Sequence, residues 1–204
     1  MMTWRRSFIH VLLAASIGAN ALLVGRLSNL QSTVSALTAR PGLEIGTRLP
    51  ALNLKNASGE PVRVKYGESG VPTILYVISP TCGWCQKNTA SVTQLAHSVS
   101  SRAKVVAISI APPPDKDNGS PGVATWKDLP FPVYTGLSDA QARELRVRST
   151  PTTIVVAPEG KVLAVWEGAY TGKTKDAVQS YFALTLPELP QALPVQAAST
   201  ARKP

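Results

Sequence analysis

The two cysteines of this chain stand three positions apart, in Ser79-Pro80-Thr81-Cys82-Gly83-Trp84-Cys85-Gln86-Lys87. Thiols at that spacing on one turn close into a disulfide with little backbone movement. An apolar, β-prone run, Thr73-Ile74-Leu75-Tyr76-Val77-Ile78, precedes them and a helix-competent stretch follows. A thiol at the start of such a helix faces free N–H groups and the positive end of the helix dipole. Both favour thiolate, the nucleophilic form. The chemistry indicated is thiol–disulfide exchange. Two cysteines are too few for a disulfide scaffold. They are also too few for tetrahedral zinc, since His10 lies in the apolar N-terminal stretch and His97 well down the helix.

The elements that must position this motif read as one α/β domain over residues 43–185. Leu49, Leu52 and Leu54, then Asn56-Ala57-Ser58-Gly59, then Val62-Arg63-Val64 predict a small hairpin with a glycine turn. Residues 73–78 form a central strand, apolar on both faces as a doubly covered sheet requires. The helix from Cys82 buries Val92, Leu95, Ala96 and Val99, and residues 104–110 make a second buried strand. Residues 111–122, with Pro112-Pro113-Pro114, form an exposed loop, and 123–129 a short helix. Ser138-Asp139-Ala140-Gln141 is a capping box for a helix ending near Arg146. Residues 152–157 and 162–166 are antiparallel strands joined by Pro158-Glu159-Gly160-Lys161. A last helix, 173–184, turns Ala177, Val178, Tyr181 and Phe182 toward the core. The expected fold is a mixed central sheet flanked by helices, with an extra N-terminal hairpin.

Length and charge bound the rest. The 204 residues suit one domain with appendages, large enough to be stable without disulfide staples. The net charge of +9 comes from scattered basic residues and not from a stripe interleaved with aromatics, so nucleic acid is not an expected partner. Residues 1–6 are short and basic, and residues 7–25 carry no formal charge. That run is long enough for a transmembrane anchor, with Arg5 and Arg6 keeping the amino end in the cytoplasm. Ala19-Asn20-Ala21 offers the alternative of a cleaved signal peptide and a soluble periplasmic domain. Residues 26–42 read as a stalk, with Leu23, Leu27, Leu30, Val34 and Leu37 at heptad-like spacing, and residues 186–204 as a disordered tail rich in Pro, Ala and Gln.

The chain resembles the thioredoxin superfamily, and within it the membrane-tethered TlpA/ResA-like thiol–disulfide oxidoreductases of the redoxin subgroup. Three features carry the resemblance: strand, Cys82-Gly83-Trp84-Cys85, helix; Val147-Arg148-Ser149-Thr150-Pro151-Thr152 ahead of a strand; and Glu167-Gly168-Ala169 after the last strand. It implies that Cys82 attacks, that Cys85 resolves the mixed disulfide, and that Pro151 is cis. It also implies that the Thr150 backbone pairs with an incoming peptide, with Trp84 as a partly exposed wall and Gly168 in a third groove loop. No cofactor beyond the Cys82–Cys85 disulfide is implied. Two positions depart from the pattern. Thr81 replaces a tryptophan common before the first cysteine, and Tyr76 stands where thioredoxin has a buried aspartate. Glu167 and Asp139 are the candidates for an alternative proton acceptor, and Arg148 for a group biasing Cys82 toward thiolate.

The function expected is an exported thiol–disulfide oxidoreductase at the bacterial inner membrane, its domain facing the periplasm. It would reduce protein disulfides, in a role of the cytochrome c or copper-site maturation type, with electrons from a membrane dithiol carrier. The alternatives are a thiol oxidant and a soft-metal (copper) chaperone, for which the chain lacks methionines outside Met1 and Met2. A peroxidase is disfavoured because Pro80-Thr81-Cys82 is too compressed for the activating arrangement.

Overall fold

The computed structural model describes residues 42–111, 126 and 129–190, together with 16, 18, 20 and 24–26. The chain divides into two units, residues 1–41 and 42–204. The described residues of the first are helical. The expected anchor and stalk and the tail from residue 191 lie outside the described residues or almost wholly so, as do most of the 111–122 loop and the short helix at 123–129. No helix among the described residues is long and apolar enough to cross a membrane.

In the second unit the element order is β1 (Leu52–Lys55), β2 (Pro61–Val64), β3 (Thr73–Ile78), α1 (Gly83–Lys87), α2 (Thr89–Val99), β4 (Lys104–Ser109), β5 (Val133–Tyr134), α3 (Asp139–Leu145), β6 (Thr152–Val156), β7 (Val162–Glu167) and α4 (Gly172–Phe182). Strands β1 and β2 form a separate antiparallel ribbon, and the main sheet runs β5-β4-β3-β6-β7. β3 pairs in parallel with β4 and antiparallel with β6, so the strand that delivers the cysteines is the centre of the sheet. All six residues of β3 are buried, as a strand covered on both faces must be.

Alternation along β3 sends side chains to two different cores. Ile74, Tyr76 and Ile78 pack with Cys85, Val92, Leu95 and Val99 from the helices and with Val178 and Phe182 of α4. Leu75 and Val77 pack on the opposite face with Leu52, Leu54 and Val64 of the ribbon and Leu145 of α3. Bridges Arg48–Lys161 and Lys55–Thr135 stitch the ribbon region to the domain. Gly160 closes the β6–β7 turn at φ 86°, where a Cβ would lie 2.8 Å from the Leu49 carbonyl oxygen.

The capping box forms as expected: the Ser138 hydroxyl accepts from the Gln141 N–H and the Gln141 side chain from the Ser138 N–H. Four readings change. The helix after Cys82 is two helices meeting at Asn88. The short strand β5 was not expected, being only two residues. On α4 the buried residues are Lys175, Val178 and Phe182, while Ala177 is exposed and Tyr181 packs edge-on to Trp166 at the rim. The stretch after residue 185 is at first packed against the domain: Leu186 is buried, Ser91 donates to the Pro187 carbonyl, and Lys175 pairs with Glu188.

Candidate functional site

Cys82 is the N-cap of α1, in extended conformation, and Cys85 lies one turn inside the helix. They are joined as a disulfide with Cα atoms 5.2 Å apart, inside the ordinary range for such a bond. Cys82 Sγ accepts from the Cys85 N–H at 3.0 Å, so one of the free donors of the helix start is aimed at the first sulfur. That interaction favours negative charge on Cys82 once the disulfide is opened. Cys82 is half-buried, whereas Cys85 is wholly buried among the apolar side chains of the first core. Only the first sulfur is accessible to a partner.

The Thr150–Pro151 bond is cis, as expected, and Pro151 is buried. Thr150 O lies 3.2 Å from Cys82 Sγ, which places the backbone of this loop directly against the reactive sulfur. Gly168 follows β7 at φ 90°, a conformation that other L-residues adopt only under strain, and its N–H donates to Pro151 O at 2.7 Å. Trp84 is 56 % exposed, and the Lys87 ammonium sits over its ring at 5.0 Å from the centroid. Cys82, Cys85, Trp84, Thr150, Pro151 and Gly168 therefore converge on one end of the sheet, at the carboxyl end of β3.

The three charged candidates take no part in the polar contacts around Cys82, which are to Thr150 O and the Cys85 N–H. Arg148 and Glu167 form an exposed bidentate pair, Nε to Oε1 at 3.0 Å and Nη2 to Oε2 at 2.9 Å. The hydrogen bonds and then the charge of Glu167 hold the Arg148 pKa above its ordinary value. Arg148 and Glu167 are thus each other's ion-pair partner. Asp139 is exposed at the start of α3, across the sheet from the Cys85 core. Among the described residues no group of three or more His, Cys, Asp or Glu is placed to hold a metal.

Tyr76 is buried in the core that holds Cys85, and burial drives its hydroxyl pKa far above the ordinary 10.0. Its hydroxyl accepts from Asn88 Nδ2 at 3.0 Å, and Asn88 Oδ1 accepts from the Tyr170 N–H at 2.9 Å. Tyr170 Oη and Thr153 Oγ1 are hydrogen-bonded at 2.7 Å. Burial likewise raises the Tyr170 pKa. Neutral groups thus line the region where an acid was sought. Sequence reasoning passed over Asn88, Thr153 and Tyr170. The available signal was Asn88 itself: it occupies an apolar helical stripe running through Cys85, Val92, Leu95 and Val99.

A central strand delivering C-x-x-C to a helix start, faced by a cis-proline loop, defines a thioredoxin-fold protein with the architecture of a thiol–disulfide oxidoreductase. The chain belongs to the thioredoxin-like domain family, whose family model matches residues 61–183. Its fold is similar to that of a Chlorobium tepidum protein assigned as the thiol:disulfide interchange protein DsbE, at 20% identity and TM-score 0.55 over 70% of this chain and 98% of that one. It is also similar to the thioredoxin domain of a thiol-disulfide oxidoreductase from Bacteroides vulgatus, at 16% identity and TM-score 0.52 over 69% and 99% of the two chains. A peroxiredoxin-like protein from Aquifex aeolicus shares the fold at 14% identity and TM-score 0.50, covering 69% and 87%. No curated protein matches the sequence. At these identities the structural likeness establishes the fold, and the chemistry rests on the site.

Proposed function

We propose that this protein is an exported, membrane-tethered oxidoreductase that reduces disulfides in extracytoplasmic proteins. The observation that carries the reading is the pairing of a half-exposed Cys82 sulfur, held by a helix N–H and faced by the Thr150 backbone, with a fully buried Cys85. In the dithiol form, Cys82 thiolate attacks one sulfur of a substrate disulfide, and the other substrate sulfur leaves as thiolate and takes up a proton. Cys85 then loses its proton and attacks Cys82 Sγ, which releases the second substrate thiol and leaves the Cys82–Cys85 disulfide. Two electrons have passed to the substrate, and a membrane dithiol carrier returns two electrons to the protein.

The backbone of Thr150 and the open edge at Gly168 suit an extended peptide segment laid beside Cys82, with Trp84 against its side chains. Export and tethering rest on the uncharged run 7–25 behind Arg5 and Arg6. A maturation role for cytochrome c or copper sites is the substrate class this reading favours.

The test is insulin reduction by the dithiol protein, followed by precipitation of the freed chains. Wild-type protein accelerates it and Cys82→Ser does not; equal rates for the two would remove Cys82 from the mechanism. Cys85→Ser should accumulate a mixed disulfide through Cys82.

A further inference from the structure

Four buried polar side chains behind the dithiol form one hydrogen-bonded set that the exchange chemistry does not use. Asn88 lies three residues after Cys85, at the joint between α1 and α2, and engages both ends of its amide, with Tyr76 Oη and with the Tyr170 N–H. Tyr170 is braced in turn by Thr153. Two residues before Tyr170, Gly168 bonds to Pro151 O, and the Thr150 carbonyl beside Pro151 touches Cys82 Sγ. These contacts close a ring: motif helix, Asn88, the 168–170 loop, the cis-proline loop, and back to Cys82. Asn88 is the side chain by which the helix grips the loop.

We propose that Asn88 is a positioning residue for polypeptide substrates, holding the 168–170 loop so that the backbone edges around Cys82 present one fixed surface to an extended, disulfide-bearing peptide. The proposal rests on the thiol–disulfide reading above. Removing the Asn88 amide leaves the buried Tyr170 N–H without an acceptor, so the loop must shift to find water or another partner. The shift would carry Gly168 away from the edge, where nothing lies within 4 Å of the place a Cβ would occupy and a peptide has room to approach. A small disulfide needs only the Cys82 sulfur and is indifferent to that edge. Burial raises the pKa values of Tyr76 and Tyr170, so both hydroxyls stay protonated and keep their hydrogen bonds over the working pH range.

The experiment compares reduced wild type, Asn88→Ala and Tyr76→Phe on two probes: insulin, a protein disulfide, and 5,5′-dithiobis(2-nitrobenzoate), a small one. For Asn88→Ala the insulin rate should fall about tenfold or more while the small-disulfide rate stays within about twofold, as expected for lost substrate positioning. Tyr76→Phe, which keeps the ring volume and removes one of the two bonds to Asn88, should show the same selectivity with a smaller loss. It carries the test if Asn88→Ala does not fold. Equal slowing on both probes, or an unchanged insulin rate in the folded variants, would overturn the proposal. Wild type inert toward both probes would instead overturn the functional reading itself.

Discussion

The two faces of the central sheet are built from the same strands and do different work. On one face, Leu75, Val77, Ile108, Ile154 and Val156 meet the β1–β2 ribbon and Leu145 in a mainly aliphatic core that also takes in Tyr66. On the other, Tyr76, Thr153 and Tyr170 surround Asn88 and adjoin Cys85, and the buried bonds between side chains described above lie there. Polar groups placed in a core cost stability unless every partner is present. Asn88, Tyr170 and Thr153 are satisfied by specific partners, so this face trades apolar burial for fixed geometry beside the reactive sulfurs. The aliphatic face supplies the stability that makes such an arrangement affordable in a domain of this size.

That contrast is sharpest in what mutations should do. The largest effect belongs to the reactive face: Cys82→Ser should reduce insulin turnover to the rate without protein, while chemical denaturation of the reduced domain shows a stability close to that of reduced wild type. On the aliphatic face, Ile154→Ala should lower stability by about 2–5 kcal/mol through lost burial and a residual cavity, and leave the rate of the folded protein nearly unchanged. A large loss of rate in folded Ile154→Ala would break the division between faces.

A smaller effect appears at alkaline pH. The folded pKa values of Tyr76 and Tyr170 are raised by burial above the ordinary 10.0, while the unfolded chain ionises near that value. Above it the unfolded state has given up protons that the folded state keeps, so stability is intact below pH 10 and falls as pH rises beyond it. The slope approaches about 1.4 kcal/mol per pH unit for each such tyrosine. Tyr76→Phe should flatten this decline in denaturant titrations above pH 10; an unchanged slope would contradict the burial of its hydroxyl. The smallest effect is expected at the surface. Arg148→Ala should leave the pH dependence of Cys82 alkylation where it is in wild type, because the Arg148 charge is already matched by Glu167. A clear upward shift of the alkylation midpoint would restore Arg148 as an activating group.

Much of the arrangement was legible in the sequence because its signals are local. The apolar run 73–78 and the C-x-x-C declare their geometry within a few residues, the capping box at Ser138 fixes a helix start by itself, and the cis bond at Thr150-Pro151 was expected from the family resemblance. What escaped depends on neighbours far apart in the chain. Strand β5 exists through its pairing with β4, since two residues carry no pattern of their own. Tyr76 and Asn88 are 12 positions apart, and Asn88 and Tyr170 are 82 apart, so a set that is one unit in space is scattered in sequence. The packing of Leu186, Pro187 and Glu188 against α2 and α4 was hidden for a different reason. Its contacts are single anchors, a buried Leu186 and the Lys175–Glu188 pair, within a stretch of tail-like composition.

The reducing role is tested most directly by the reduction potential of the Cys82–Cys85 couple. It is measured by equilibrating the protein with defined dithiothreitol buffers and counting free thiols. The expected value lies near the thioredoxin couple, about −270 mV, where the dithiol form donates electrons to protein disulfides. A value near about −120 mV, the range of a strong thiol oxidant, would contradict it and reverse the direction of electron flow.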